Sequence, residues 1–111
     1  MEFRRVVITG LGAVTPIGNT VPEYWDALCK GVNGAGHITR FDSTKFRTRI
    51  ACEVKGFDPQ QYFDRKEVRK LDLYTQFAIV ASDEAISDSG ITKDNTDFDN
   101  VGVVFSSGIG G

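Results

Sequence analysis

The 111-residue sequence is poor in the side chains that carry most metal and thiol chemistry, with two cysteines, one histidine, one tryptophan and one methionine. Cys29 and Cys52 are too few for a disulfide scaffold, and no Cys-x-x-Cys pair suggests a metal. His37 alone cannot build a zinc site, so no metal is expected. An excess of one charge is also missing: 13 Lys plus Arg stand against 15 Asp plus Glu, a formal net charge of −2. That balance excludes a highly basic nucleic-acid arm, and 41% apolar content excludes a disordered tail. No apolar run approaches the roughly 20 residues that span a bilayer. Met1-Glu2-Phe3-Arg4-Arg5 leads into only a very short apolar run, unlike a secretory signal. A cytoplasmic protein, with neither membrane nor nucleic acid as partner, is the expectation.

What is present is an alternation of apolar runs and helical patterns, the mark of the α/β class. Val6-Val7-Ile8 is β-branched and stopped by Gly10, which predicts a strand buried on both faces. Thr20-Val21-Pro22-Glu23 is a helix start: Thr20 caps, Pro22 loses no needed N–H, and Glu23 reaches back. Trp25, Leu28 and Cys29 share one face of that helix, and Gly31 suits its exit. Residues 31–44 read as a loop. From Lys45 to Lys55, Phe46, Ile50, Cys52 and Val54 alternate with Lys45, Arg47, Arg49 and Lys55, predicting an extended segment with one buried and one cationic face.

A long helix is expected to open at Asp64 and close at Gly90, with Glu67 completing a capping box. Its seam of Leu71, Tyr74, Ala78, Ala81 and Ala85 is small enough for another element to approach closely. Val101-Gly102-Val103-Val104-Phe105 reads as a second buried strand, running into Ser107-Gly108-Ile109-Gly110-Gly111. The two strands lie about ninety positions apart and would pair into a sheet too small to stand alone. The expectation is therefore an incomplete domain, part of a larger α/β protein.

Gly10-Leu11-Gly12 invites a dinucleotide-binding reading, which its neighbours reject. The third glycine is replaced by Thr15, and Lys30 stands near where an acidic residue belongs. The glycines are read instead as making a tight turn. Cys29 and Cys52 fall on predicted apolar faces and read as small buried hydrophobes, and His37 as a surface loop residue. No pair of carboxylates stands out as acid–base machinery. The cations Arg65, Lys66, Arg69 and Lys70 carry more information. Helical rotation puts Lys66, Arg69 and Lys70 on one side, in the first two turns of the long helix. Cations there oppose the helix dipole, by roughly 0.3–1 kcal/mol each when exposed. An acidic macromolecular partner would account for them; so would a merely solvated face.

Several blocks in a fixed order carry a family resemblance. They are Arg5-Val6-Val7-Ile8-Thr9-Gly10-Leu11-Gly12, Thr15-Pro16-Ile17-Gly18-Asn19, Phe41-Asp42, Arg65-Lys66-Glu67-Val68-Arg69-Lys70-Leu71-Asp72, Asp88-Ser89-Gly90 and Ser107-Gly108-Ile109-Gly110-Gly111. Together they resemble the opening of the β-ketoacyl-[acyl carrier protein] synthases, and within them the type II elongating branch, along the whole chain. The resemblance implies a thiolase-like fold of five αβαβα layers in a homodimer, with residues 1–111 its N-terminal segment. It implies decarboxylative condensation of malonyl-carrier with an acyl-enzyme thioester, without a cofactor.

The family's active-site cysteine and two histidines lie C-terminal to everything present, and Cys29, Cys52 and His37 match none of them. No catalytic residue is therefore expected in this chain, which alone should be inactive. The resemblance matches Lys66, Arg69 and Lys70 to positions that grip the acidic carrier protein, with Arg65 beside them. It matches Ile109 to an isoleucine lining the acyl pocket, although an isoleucine there would equally serve as ordinary core. A sister condensing enzyme (synthase I or a polyketide chain-length factor) and a non-catalytic carrier-binding module are the alternatives.

Overall fold

Small residues on one helix and glycines on the segment crossing it set the architecture. A computed structural model describes residues 3–110. In chain order it holds helix α1 (Val21–Cys29), strand β1 (Gly36–His37), strand β2 (Ile50–Ala51), helix α2 (Arg65–Lys70) and helix α3 (Leu73–Ser89). Short 3-10 turns cover Pro59–Gln61 and Phe98–Asn100. The outermost residues Met1, Glu2 and Gly111 lie outside the described residues, so the last glycine of the 107–111 block is not placed.

The segment before α1 lies against α3 at backbone distance. A Cβ built on Gly12 would stand 1.8 Å from the Ala81 carbonyl oxygen, and one on Gly10 2.2 Å from that of Ala85. Only glycine permits that approach. The two glycines therefore serve a helix crossing, which corrects the tight-turn reading. Carboxylates of α3 then take the backbone donors of the crossing segment. Leu11 N–H donates to Asp88 at 3.0 Å, and Ala13 N–H to Glu84 at 2.9 Å. The second oxygen of Glu84 accepts from Val21 N–H at 2.8 Å, tying the start of α1 to α3.

Helix α1 begins as its sequence directs. Thr20 accepts from Glu23 N–H and Pro22 sits in the first turn. Glu23 reaches back one residue further than expected, to Asn19 N–H at 2.9 Å. The apolar face of α1 is not covered: Trp25 is 66% exposed, and Leu28 and Cys29 are exposed too. Strand β2 pairs antiparallel with β1, Gly36 opposite Ala51 and His37 opposite Ile50. His37 thus sits in a strand, not a loop. Of the apolar set expected to be buried between Lys45 and Lys55, only Val54 is half-buried, while Phe46, Ile50 and Cys52 are exposed. Lys55, assigned to the solvated face, instead donates to the Gly34 carbonyl at 2.8 Å and to those of Pro16 and Glu53 at 3.3 Å.

Two expectations fail for a common reason. Residues 6–8 and 101–105 form no strand, and Val6, Ile8, Val103 and Val104 are 70–95% exposed. A β-branched run reports what the chain is suited to bury, but a strand needs a hydrogen-bonding neighbour. Among the described residues neither run has one. The single helix expected over 64–90 is likewise two. Leu71 and Asp72 are extended, with ψ of 126° and 153°, and divide α2 from α3. Gln76, buried, turns its amide onto the Leu71 carbonyl at 2.9 Å and the Val68 carbonyl at 3.3 Å, replacing lost helical partners. Gly90 closes α3 in the left-handed conformation, as anticipated.

The buried core is thin: Ala27, Ala78 and Val80 are its apolar members. Phe77 meets Phe57 edge-on at 4.8 Å, and Phe57 stacks on Tyr62 at 5.6 Å, holding the 57–62 segment to α3. The radius of gyration, 17.4 Å, exceeds the about 13 Å of a compact domain of this length. No helix among the described residues is long and apolar enough to cross a membrane.

The crossing yields a direct test. Gly12→Ala should destabilise the protein carrying this chain by about 1–3 kcal/mol, since backbone and not a flexible side chain must move. Thermal denaturation measures it, and an unchanged Tm would show that the segment does not lie against Ala81.

Candidate functional site

Helix α2 is six residues long, and four of them are cations. Asp64 accepts from Lys66 N–H at 2.7 Å and Glu67 N–H at 2.8 Å, while Glu67 accepts from Asp64 N–H, completing the capping box expected from sequence. The break at Leu71–Asp72 changes the electrostatics that the sequence suggested. Arg69 and Lys70 occupy the last turn of α2, where the dipole favours them. Only Arg65 and Lys66 stand at the unfavourable end. The argument that the cluster opposes its own helix is thereby halved.

What remains is a cluster of four cations interleaved with Asp64, Glu67 and Asp72, which offset part of its charge. Arg65, Lys66, Arg69 and Lys70 are all exposed, and among the described residues none forms an ion pair. The ion pairs present are Lys30 with Asp26 at 2.6 Å and Arg40 with Glu53 at 3.9 Å. Arg65 and Arg69 also flank a shallow hollow of about 230 Å³ with Gln60 and Val68. Arginine forks above a part-covered valine suit a partner that brings both carboxylates and an apolar side chain. Gln60 and Val68 were missed in the sequence, because a hollow between a 3-10 turn and a helix has no local signature.

Ile109 lies at the other end of the chain, on the turn after residues 101–105. Its side chain is fully exposed, uncovered like the apolar runs at 6–8 and 103–105. Gly110 follows with φ of +96°, and a Cβ there would fall 3.7 Å from Tyr74 Cε1. The turn therefore sits beside the first turn of α3, four residues beyond Lys70. Basic helix and isoleucine turn meet the same short stretch of chain.

Among the described residues, no acid–base or metal machinery accompanies them. Cys29 and Cys52 are both exposed thiols, contrary to the buried positions expected, because the faces carrying them have nothing packed on top. Thr39 donates its hydroxyl to Glu53 and Thr44 its hydroxyl to Asp42, holding both carboxyls below their ordinary range. A general acid at neutral pH needs the opposite shift. Among the described residues no group of three His, Cys, Asp or Glu side chains is placed to hold a metal ion.

Comparison with known proteins bears on this arrangement. Residues 3–111 match the family described as beta-ketoacyl synthase, N-terminal domain. The chain is 48% identical over its full length to a 3-oxoacyl-[acyl-carrier-protein] synthase 2 of Synechocystis, and 50% identical to one of Coxiella burnetii. It spans 27% of the length of each. Among solved structures, the ishigamide ketosynthase/chain length factor is similar with a TM-score of 0.72 and 39% identity, over 83% of this chain and 23% of that one.

Proposed function

The chain belongs to the β-ketoacyl synthase N-terminal domain family, and from that membership we propose that it is the N-terminal segment of a 3-oxoacyl-[acyl-carrier-protein] synthase II. End-to-end similarity to relatives bearing that name is the observation that carries the reading. The whole protein would be a cytoplasmic, homodimeric acyltransferase of fatty acid elongation with the five-layer thiolase-like fold. Thin burial and the uncovered apolar runs at 6–8 and 103–105 support residues 1–111 as an incomplete domain.

In the proposed reaction malonyl-carrier loses carbon dioxide, and the resulting carbanion attacks an acyl thioester on an enzyme cysteine. A carbon–carbon bond forms as the carbon–sulfur bond breaks, and the acyl chain grows by two carbons. That cysteine, and two histidines that assist decarboxylation and stabilise the oxyanion, belong to sequence C-terminal to this chain. The part played here is delivery and selection. Arg65, Lys66, Arg69 and Lys70 receive the acidic carrier with exposed cations that no ion pair ties down among the described residues. Ile109 lines the acyl pocket near the dimer interface.

The whole protein should release carbon dioxide from malonyl-carrier and extend an acyl-carrier by two carbons. The similarity to a ketosynthase/chain length factor favours one second reading, a sister condensing enzyme of that type. A chain-length factor alone, or a module that only binds the carrier, would show binding without condensation. Lys66→Glu with Arg69→Glu should weaken carrier binding by about tenfold at low ionic strength, the deficit shrinking as salt approaches about 1 M. Titration against salt measures it, and an affinity unchanged at low salt removes the docking assignment. Ile109→Phe should shorten the acyl chains accepted, because the larger ring fills space the substrate tail needs. An unaltered product profile would take Ile109 out of the pocket.

A further inference from the structure

The turn that presents Ile109 leans on a side chain no motif singles out for this purpose. Tyr74, the second residue of α3, places its ring beside Gly110: a Cβ built on that glycine would lie 3.7 Å from Tyr74 Cε1 and 3.9 Å from its phenol oxygen. Gly110 has φ of +96°, a conformation that L side chains rarely adopt. The chain therefore bends at Gly110, with the edge and phenol tip of the Tyr74 ring beside it, one residue beyond Ile109. Among the described residues the Tyr74 phenol makes no hydrogen bond, so the support comes from the ring.

Tyr74 also lines a cleft of about 370 Å³ with Leu73, Phe77, Val54, Cys52 and Gly110. Tyr74 and Gly110 line it together, so the turn borders open space that the Tyr74 ring helps to bound. Tyr74 itself is 39% exposed, so the helix does not need it as core. Leu73 and Phe77 anchor this end of α3 without it.

We propose that Tyr74 is a positioning residue for acyl-chain selection, its ring buttressing the Gly110 bend and so fixing how far Ile109 stands into the acyl pocket. This rests on the assignment of Ile109 to that pocket. With the ring gone, the turn can settle toward the cleft and Ile109 withdraws, which lengthens the space open to the acyl tail.

The test is made on the whole protein, comparing kcat/KM for a long-chain and a short-chain acyl-carrier. Tyr74→Ala should raise the long-to-short ratio by about tenfold, the scale on which apolar pockets discriminate. Tyr74→Phe, which keeps the ring, should hold the wild-type ratio. Where Tyr74→Ala does not fold, Tyr74→Leu also removes the ring, with less lost volume. A ratio within about twofold of wild type in the folded alanine or leucine variant overturns the proposal, as does a shift in Tyr74→Phe equal to that in Tyr74→Ala. A wild-type protein that condenses neither substrate overturns the parent reading, and this one with it. Condensation with wild-type selectivity in every variant overturns this proposal alone.

Discussion

The contact between a glycine-bearing segment and the middle of α3 is the constraint from which the other placements follow. As the chain advances from Gly10 to Ala13, its contacts on α3 step backward from Ser89 to Ala81. The segment therefore runs antiparallel to the helix and at backbone distance. Sterics and polarity must agree for that to hold. Alanines at 81 and 85 and glycines at 10 and 12 remove the side chains that would intervene. Asp88 and Glu84, one helical turn apart, then take the N–H groups of Leu11 and Ala13, which face no strand partner. Glu84 adds the first N–H of α1, so one carboxylate fixes both the crossing segment and the helix that follows. An amide left unpaired at such a contact would cost about 1–3 kcal/mol, which makes the carboxylates as necessary as the glycines.

The features legible in the sequence are those decided within a few residues. Thr20 before Pro22, Asp64 with Glu67, and Gly90 at the end of α3 each complete their own capping geometry, and each stands where local chemistry puts it. The alanine seam announced a close approach without saying by what. Features decided by distant neighbours were not legible. Val6-Val7-Ile8 and Val103-Val104-Phe105 have the composition of buried strands, yet burial depends on a layer that these residues do not supply. Lys55 shows the same limit in reverse. Its parity with Lys45, Arg47 and Arg49 suggested a solvated cation, and only the folding together of three loops converts it into a donor to three carbonyls.

The break between α2 and α3 shows why the candidate site was half legible. Nothing at Leu71-Asp72 is a glycine or a proline, so in sequence the helical pattern runs on. A buried amide five residues later satisfies the carbonyls that the break exposes, and its spacing from them follows no local rule. The break shortens α2 until its last turn holds Arg69 and Lys70. Two cations that would burden a long helix are thereby stabilised by a short one. Exposure and the lack of ion pairs among the described residues, not dipole opposition, leave these cations open to the acidic partner proposed for them.

The same break sets the distance between the basic helix and the Ile109 turn. From Lys70 the chain makes two extended residues and then enters α3, whose second residue meets the Ile109 turn. Leu73 begins a helix that Gln76 ties back to the carbonyls of α2, so this corner is braced from both sides. Under the proposed function, a carrier pressing on Arg69 and Lys70 would bear on a short, hydrogen-bonded corner and not on a free loop. Interfaces of this kind move as units, because packed corners have few intermediate arrangements. Under the proposed function, the residues that receive the acyl chain's bearer and the one that limits its length share a single strut, the first turn of α3.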